Sequence, residues 1–236
     1  MTKVCHMTSA HDALDDRIYL KECISLQKSG YEVYLVAEGE NKISEGVHIV
    51  GAGPKPDGRI KRMTSFAKRV YGIAKELDCD IYHFHDPELL PYGLKLKKMG
   101  RKVIFDSHED VAGQIEDKEW IPKFLRGMIA SAYHAYETHV SKRIDVVVTA
   151  TPHIGDLFKN RAKEVVVINN FPKLDDIEFS NIPFEERENI VCYAGGISKI
   201  RGMDVMIESV KGLDATLMLA GPCDEIEKLN GGVLNT

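Results

Sequence analysis

The chain has 236 residues, 44% of them hydrophobic, and a formal net charge of -5. That length suits one full domain plus part of another and is ample to bury a core, and the acidic balance excludes a nucleic-acid binder by charge. Five cysteines (Cys5, Cys23, Cys79, Cys192, Cys223) without CxxC spacing read as reduced and structural, which suits a cytoplasmic protein; the polar N-terminus MTKVCHMTSAHDALDD does not read as a signal peptide, and no run approaches the ~18 apolar residues of a membrane span.

KVCHMTS predicts the first strand. A helix is expected over residues 15–29, stopped by Gly30, with Leu20, Cys23 and Ile24 on its apolar face and Lys21 and Glu22 outward. YEVYLVAEG and VHIVGAG read as strands, the second entering a Gly/Pro loop, GAGPKPDG. Next come a helix over residues 60–77, the strand CDIYHFHD, and a helix from Pro87, tolerated in a first turn, to about Met99. RKVIFDSHED is a strand, residues 122–142 a long helix, DVVVTATP a strand, a helix starts near His153, and EVVVINNFP is a strand. Strand-helix alternation with near-continuous apolar strands predicts a parallel sheet covered on both faces.

The acidic, proline-bearing stretch FPKLDDIEFSNIPFEEREN breaks this rhythm. It divides the chain into an N-terminal domain of residues 1–172, a linker of 173–188 and a second α/β domain, 189–236, which stops after about two strand-helix units. In that second part NIVCYAGG and ATLMLAGP are strands, with a helix over residues 202–210.

Ligands of open parallel sheets bind beyond the carboxyl ends of the strands. His85 and Asp86 close one strand; Ser107, His108 and Glu109 close the next, so both clusters are expected to open onto one crevice. Side chains alternate, placing Ile81, His83 and His85 on one face and Tyr82 and Phe84 on the other. A metal-dependent hydrolase using His83, His85, Asp86 and His108 is one reading, but HxHxDH and HExxH are absent, and we expect no metal. The plainer reading of His83 is a strand-end residue bonded to loop backbone; His108, in denser polar company, reads as functional. In CYAGGISKIRGMDVMIESV a strand ends at Gly195-Gly196, and Lys199 and Arg201 precede a helix start near Gly202. Helix N-terminal amides and two cations at one spot would suit a diphosphate, though neither GxGxxG nor a P-loop is present. His11, Asp12, Asp15, Asp16 and Arg17 crowd the first loop and helix start, where the acids suit the helix dipole and Asp15 and Asp16 read as caps.

The motifs DDRIYLKECISLQKSGYEVYLVA, HFHDPELLPYG, VIFDSHED, VVVINNFP and GGISKIRGMDVMIESV, in that order, resemble the retaining, nucleotide-sugar-dependent glycosyltransferases of family 4. The resemblance implies the GT-B architecture: a complete N-terminal Rossmann-like domain holding the acceptor, and a second Rossmann-like domain for the nucleotide-sugar, facing it across a cleft. It implies transfer of a sugar from a nucleoside diphosphate to an acceptor hydroxyl with retention. No cofactor is needed, because the nucleotide-sugar is a substrate and fixed cations with a helix N-terminus meet the diphosphate charge. By this resemblance His108 reaches the transferred sugar; Asp12, Asp86 and Glu109 bind substrate; Gly195, Gly196, Lys199 and Arg201 take the donor phosphates, Arg201 in place of the family's lysine. Where relatives have Gly-Arg this chain has Gly195-Gly196, and it ends at Thr236 without the family's pair of donor-binding glutamates. It is therefore expected to be a truncated form, which keeps a non-catalytic acceptor-binding fragment as the alternative.

Relatives often build polysaccharides or lipid-linked glycans at the inner membrane face, so the expected acceptor is a glycan or lipid-linked glycan. The basic group from Lys55 to Arg69 and the stretch WIPKFLRGMIASAYHAYETHVSKR, with Trp120, Phe124, Leu125, Met128 and Ile129, would suit peripheral contact with anionic lipid. The plainer reading is solvated lysines and ordinary core-facing apolar residues.

Overall fold

In the computed structural model, residues 1–118, 121–174 and 180–223 are described. Trp120, part of the 173–188 linker and the tail from residue 224 lie outside them. The chain divides into two compact units, Met1–Pro172 and Lys173–Thr236.

The first unit is built on one eight-stranded sheet. Its strands are β1 (Lys3–Met7), β2 (Glu32–Ala37), β3 (Lys42–Ser44), β4 (Val47–Gly51), β5 (Ile81–Phe84), β6 (Lys102–Ser107), β7 (Val146–Thr149) and β8 (Val165–Val167), in the order β3-β4-β2-β1-β5-β6-β7-β8. All neighbours pair in parallel except β3, a short edge strand antiparallel to β4 that the alternation pattern does not predict. Its residues Lys42 to Ser44 alternate no apolar face, and a three-residue edge strand leaves little periodic signal.

The helices are α1 (residues 16–28), α2 (59–76), α3 (87–98), α4 (Val111–Asp117), α5 (Lys123–Ser141) and α6 (Pro152–Phe158). Helix α4, also unforeseen, begins where Asp110 accepts a hydrogen bond from the Gly113 amide. One core cluster packs Cys5 and Met7 of β1, Tyr82 and Phe84 of β5, and Val103 and Phe105 of β6 against Phe66, Ala67 and Val70 of α2 and Leu89, Leu90 and Leu96 of α3. Phe84 and Phe105 stack at 4.9 Å between centroids. A second cluster joins Ile18, Tyr19, Cys23 and Ile24 of α1 to Val33, Leu35, Val47 and Ile49.

Helix α1 departs from the expected phase. Its first part, Asp16–Cys23, is π-helical, and the Leu20 amide reaches the Asp15 carbonyl five residues back at 3.2 Å. The wider turn rotates the following side chains. Leu20, expected in the core, is 40% exposed, whereas Glu22, expected outward, turns onto the sheet with its side chain only 12% exposed. Asp15 caps the helix as anticipated, accepting from the amides of Arg17 and Ile18 at 2.9 Å each.

In the second unit β9 (Ile190–Ala194) and β10 (Thr216–Ala220) pair in parallel, with α7 (Met203–Val210) between them in sequence. Among the described residues no helix is long and apolar enough to cross a membrane.

Candidate functional site

Sheet register builds the polar centre of the first unit. His6 of β1 lies beside His83 of β5, and Phe84 pairs with Phe105, so His85 and Asp106 fall on the next rung of the same face. Helix α1 lays Arg17 and Glu22 over that face. Asp106 is buried and accepts a two-pronged bond from Arg17, Nε to Oδ2 at 2.7 Å and Nη2 to Oδ1 at 2.9 Å. Its Oδ2 also lies 3.2 Å from His85 Nδ1 and 3.5 Å from His108 Nδ1. The third arm of Arg17, Nη1, donates to the Ile168 carbonyl at 2.9 Å and ties the end of β8 to this centre.

Burial and electrostatics set the protonation states. Burial disfavours charge on Asp106, but the neighbouring His108 and the hydrogen bonds from His85 and Arg17 prevail and hold it well below the usual carboxylate range. Burial pushes His6, His83 and His85 down, His83 to about 3, so these imidazoles are neutral. Glu22 is pushed up to about 9, by burial first and then by the Asp106 charge.

The residues singled out by sequence take different stations. His108, just past β6, keeps 18% of its side chain exposed, and its Nε2 lies 3.4 Å from His11 Nε2. His11 is itself within 3.3 Å of Asp15 and 3.5 Å of Asp86, and the Asp15 side chain foremost raises its pKa. Asp86 is buried and holds the loop after β1. Its Oδ2 accepts from the Ser9 amide at 2.5 Å, Thr8 Oγ1 at 2.9 Å, the Ala10 amide at 3.2 Å and Ser9 Oγ at 3.3 Å. Asp12 is exposed and ion-paired with Lys55 at 3.1 Å, which lowers its pKa. Glu109 is exposed beside His108.

One expectation is corrected here, and one alternative reading set aside by sequence also lacks its geometry. His83 does not cap a strand end: it faces α1, with Nδ1 3.8 Å from Glu22 and no hydrogen-bond partner for Nε2. Nor do His83, His85, Asp86 and His108 converge as a hydrolase metal set, because Asp86 is turned to the β1 loop. Among the described residues the sets that do converge are His6, Glu22, His83 and His85, and separately His85, Asp106 and His108. His6, Glu22 and Asp106 were missed because their meeting depends on strand pairing and helix phase; the signal was their place on the histidine face once strand register is known.

In the second unit the Gly195-Gly196 turn follows β9. The Gly195 amide is committed to the Ala220 carbonyl at 2.8 Å, and Tyr193 Oη donates to the Gly196 carbonyl at 3.1 Å. Lys199 and Arg201 are exposed on a single 3-10 turn, Lys199–Arg201. Gly202 then enters the helix with φ of +78°, a left-handed conformation that favours glycine. The amides of Arg201, Gly202 and Met203 bond back to Ser198 and Lys199 within the turn. The expected supply of free amides at this helix start is therefore reduced, and the two cationic side chains are what the turn offers an anion.

The profile of Glycosyltransferase Family 4 matches residues 20–175. No curated protein sequence matches the chain. Among solved structures, sucrose-phosphate synthase from Thermosynechococcus elongatus superposes with a TM-score of 0.70 at 14% identity, over 94% of this chain and 62% of that one. The glycotransferase of kitacinnamycin gives 0.53 at 14% identity over 99% and 68%. MurG from Acinetobacter baumannii gives 0.53 at 16% identity over 96% and 60%. The chain thus spans less than two thirds of the synthase and of MurG, and at these identities the likeness establishes the fold alone, an α/β fold of the GT-B type with a large, mainly parallel sheet. The family profile covers more than half of the sequence, including the helix that delivers Glu22 and the strand ends that carry His85 and His108, and the chain belongs to glycosyltransferase family 4.

Proposed function

We propose that the protein takes part in moving a sugar from a nucleoside-diphosphate sugar to an acceptor hydroxyl with retention of anomeric configuration, in surface polysaccharide or glycan synthesis. In that reaction the bond from the anomeric carbon to the diphosphate oxygen breaks, a bond to the acceptor oxygen forms on the same face, and the acceptor proton leaves with the diphosphate. His108 is the residue we place at the transferred sugar. The observation that carries this is its station: an imidazole at the carboxyl end of β6, partly open to solvent, backed by the buried Asp106 carboxylate at 3.5 Å. A polar group fixed from behind costs little reorganisation when charge develops in front of it.

Asp12 and Glu109, exposed beside this histidine pair, are proposed substrate contacts; Asp86 serves by fixing the loop that presents His11 and Asp12. Lys199 and Arg201, beside Gly195 and Gly196, are proposed to neutralise the donor diphosphate, where an arginine offers two parallel donors. The acceptor is proposed to be a glycan or lipid-linked glycan met at the cytoplasmic face of the membrane. On α5, Phe124 is 83% and Met128 63% exposed, while Leu125 and Ala130 pack inward with Ile115 and Ile121. An apolar edge of this kind supports peripheral contact with lipid.

The test is donor turnover, read as nucleoside diphosphate released from a panel of nucleotide-sugars. His108→Ala is expected to lower it by at least about a hundredfold, the scale of losing one positioned polar group, with an unchanged melting temperature. Unchanged turnover would remove His108 from the reaction.

A further inference from the structure

Inside the first unit four side chains converge that the transfer reaction does not use. One ring nitrogen each of His6, His83 and His85 and one carboxylate oxygen of Glu22 lie within 4.8 Å of one another. Glu22 Oε2 stands 3.7 Å from His6 Nδ1, 3.8 Å from His83 Nδ1 and 3.8 Å from His85 Nε2. His6 Nδ1 is 3.0 Å from His85 Nε2. Separations near 3.8 Å are too long for hydrogen bonds, and both Glu22 oxygens, though buried, have no hydrogen-bond partner. Four ligands held 2.0–2.1 Å from one tetrahedral cation would sit about 3.3–3.4 Å apart; the Glu22 separations are about 0.4 Å longer, and the ion would replace the His6–His85 hydrogen bond.

We propose that His6, Glu22, His83 and His85 form a structural zinc site that pins helix α1 to strands β1 and β5. Imidazole and carboxylate suit zinc, and four protein ligands leave no open position, the mark of a structural rather than a catalytic ion. The shell behind it fits at His85, whereas the outer ring nitrogens of His6 and His83 are buried without a hydrogen-bond partner. A metal-bound histidine gives its other ring nitrogen to a carboxylate or carbonyl, and His85 Nδ1 faces Asp106 Oδ2 at 3.2 Å. With a cation bound Glu22 would ionise, and Glu22 and Asp106 against Arg17, whose Nε lies 3.2 Å from Glu22 Oε1, would then leave one negative charge facing the ion. The neighbouring set of His85, Asp106 and His108 is a poorer candidate, since both oxygens of Asp106 are already engaged by Arg17.

The full chain, purified without chelator and without a polyhistidine tag, should carry about one zinc per molecule by elemental analysis. After stripping, Zn2+ should rebind in competition with a chromophoric chelator and raise the melting temperature. Glu22→Gln and His83→Ala should each weaken Zn2+ binding at least tenfold, while His153→Ala, at an exposed position on α6, should not. Wild-type protein that holds no zinc and shows no thermal shift with added Zn2+ would overturn the proposal and leave Glu22 as a buried protonated acid. Zinc retained equally by Glu22→Gln and His83→Ala would overturn it by placing the ion elsewhere. The wild-type measurements decide the matter even where a variant fails to fold.

Discussion

Asp15 shows how one carboxylate joins the fold to the loop of the candidate site. It caps α1 through the amides of Arg17 and Ile18 and pairs with His11 at 3.3 Å. Burial acts against its charge, but His11 and the two amides outweigh that and bring it from 3.8 to about 2. A folded-state value below the unfolded one adds stability that is complete above pH 3.8 and is lost as pH falls toward 2. Partial exposure discounts the gain to about 1–2 kcal/mol. Asp15→Asn keeps a capping oxygen but not the charge. Urea denaturation between pH 4 and pH 2 should therefore show the wild type losing about 1–2 kcal/mol more than the variant; parallel profiles would show that the charge of Asp15 does not matter to the fold. At this scale the sequence was legible where polar residues crowd a strand end, as at His85-Asp86 and His108-Glu109. It was silent on His6 and Asp106, whose partners lie 79 and 89 residues away. Long-range pairs of that kind are fixed by strand register, which no local pattern encodes.

Strand-helix alternation was legible because buried parallel strands leave apolar runs and helices leave a 3.6-residue stripe. What was not legible is phase. In the π-helical part of α1 Glu22 faces the sheet and Leu20 does not, and no residue type in DRIYLKEC announces it. Close packing, by contrast, can be read backwards from structure to sequence. Gly93 of α3 lies against Phe84, and a Cβ there would meet the ring carbon Cε1 at 2.5 Å and Cζ at 3.0 Å. The ring is fully buried and stacked with Phe105, which limits its retreat. Helix propensity alone favours alanine over glycine by about 1 kcal/mol, but overpacking a core costs about 1–3 kcal/mol. Gly93→Ala is accordingly expected to be destabilising in urea titration, the reverse of the propensity effect. A stabilised variant would mean that α3 can shift away from β5 without cost.

The whole molecule divides its burial unequally. Each of the three apolar clusters is made from residues before Pro172. They are closed by α1, α2, α3 and α5 on a sheet whose strands run from Lys3 to Val167. In the second unit, among the described residues, Ile197 and Met203 are buried, whereas Val191, Val205, Leu213 and Met218 are exposed. Among the described residues of that unit, a two-stranded sheet and one short helix leave these side chains uncovered. A unit that holds its own core can fold by itself, and a single domain of about this size unfolds cooperatively. A chain ending at Pro172 is therefore expected to melt in one transition, with a midpoint within a few degrees of that of the first unit in the full chain, followed by circular dichroism and calorimetry. If the zinc site is formed, the shortened chain should also show the same Zn2+-dependent rise, since His6, Glu22, His83 and His85 all lie within it. A shortened chain that lacks a cooperative transition would show that residues 173–236 are needed to complete the fold, and the self-sufficiency of the first unit would have to be withdrawn.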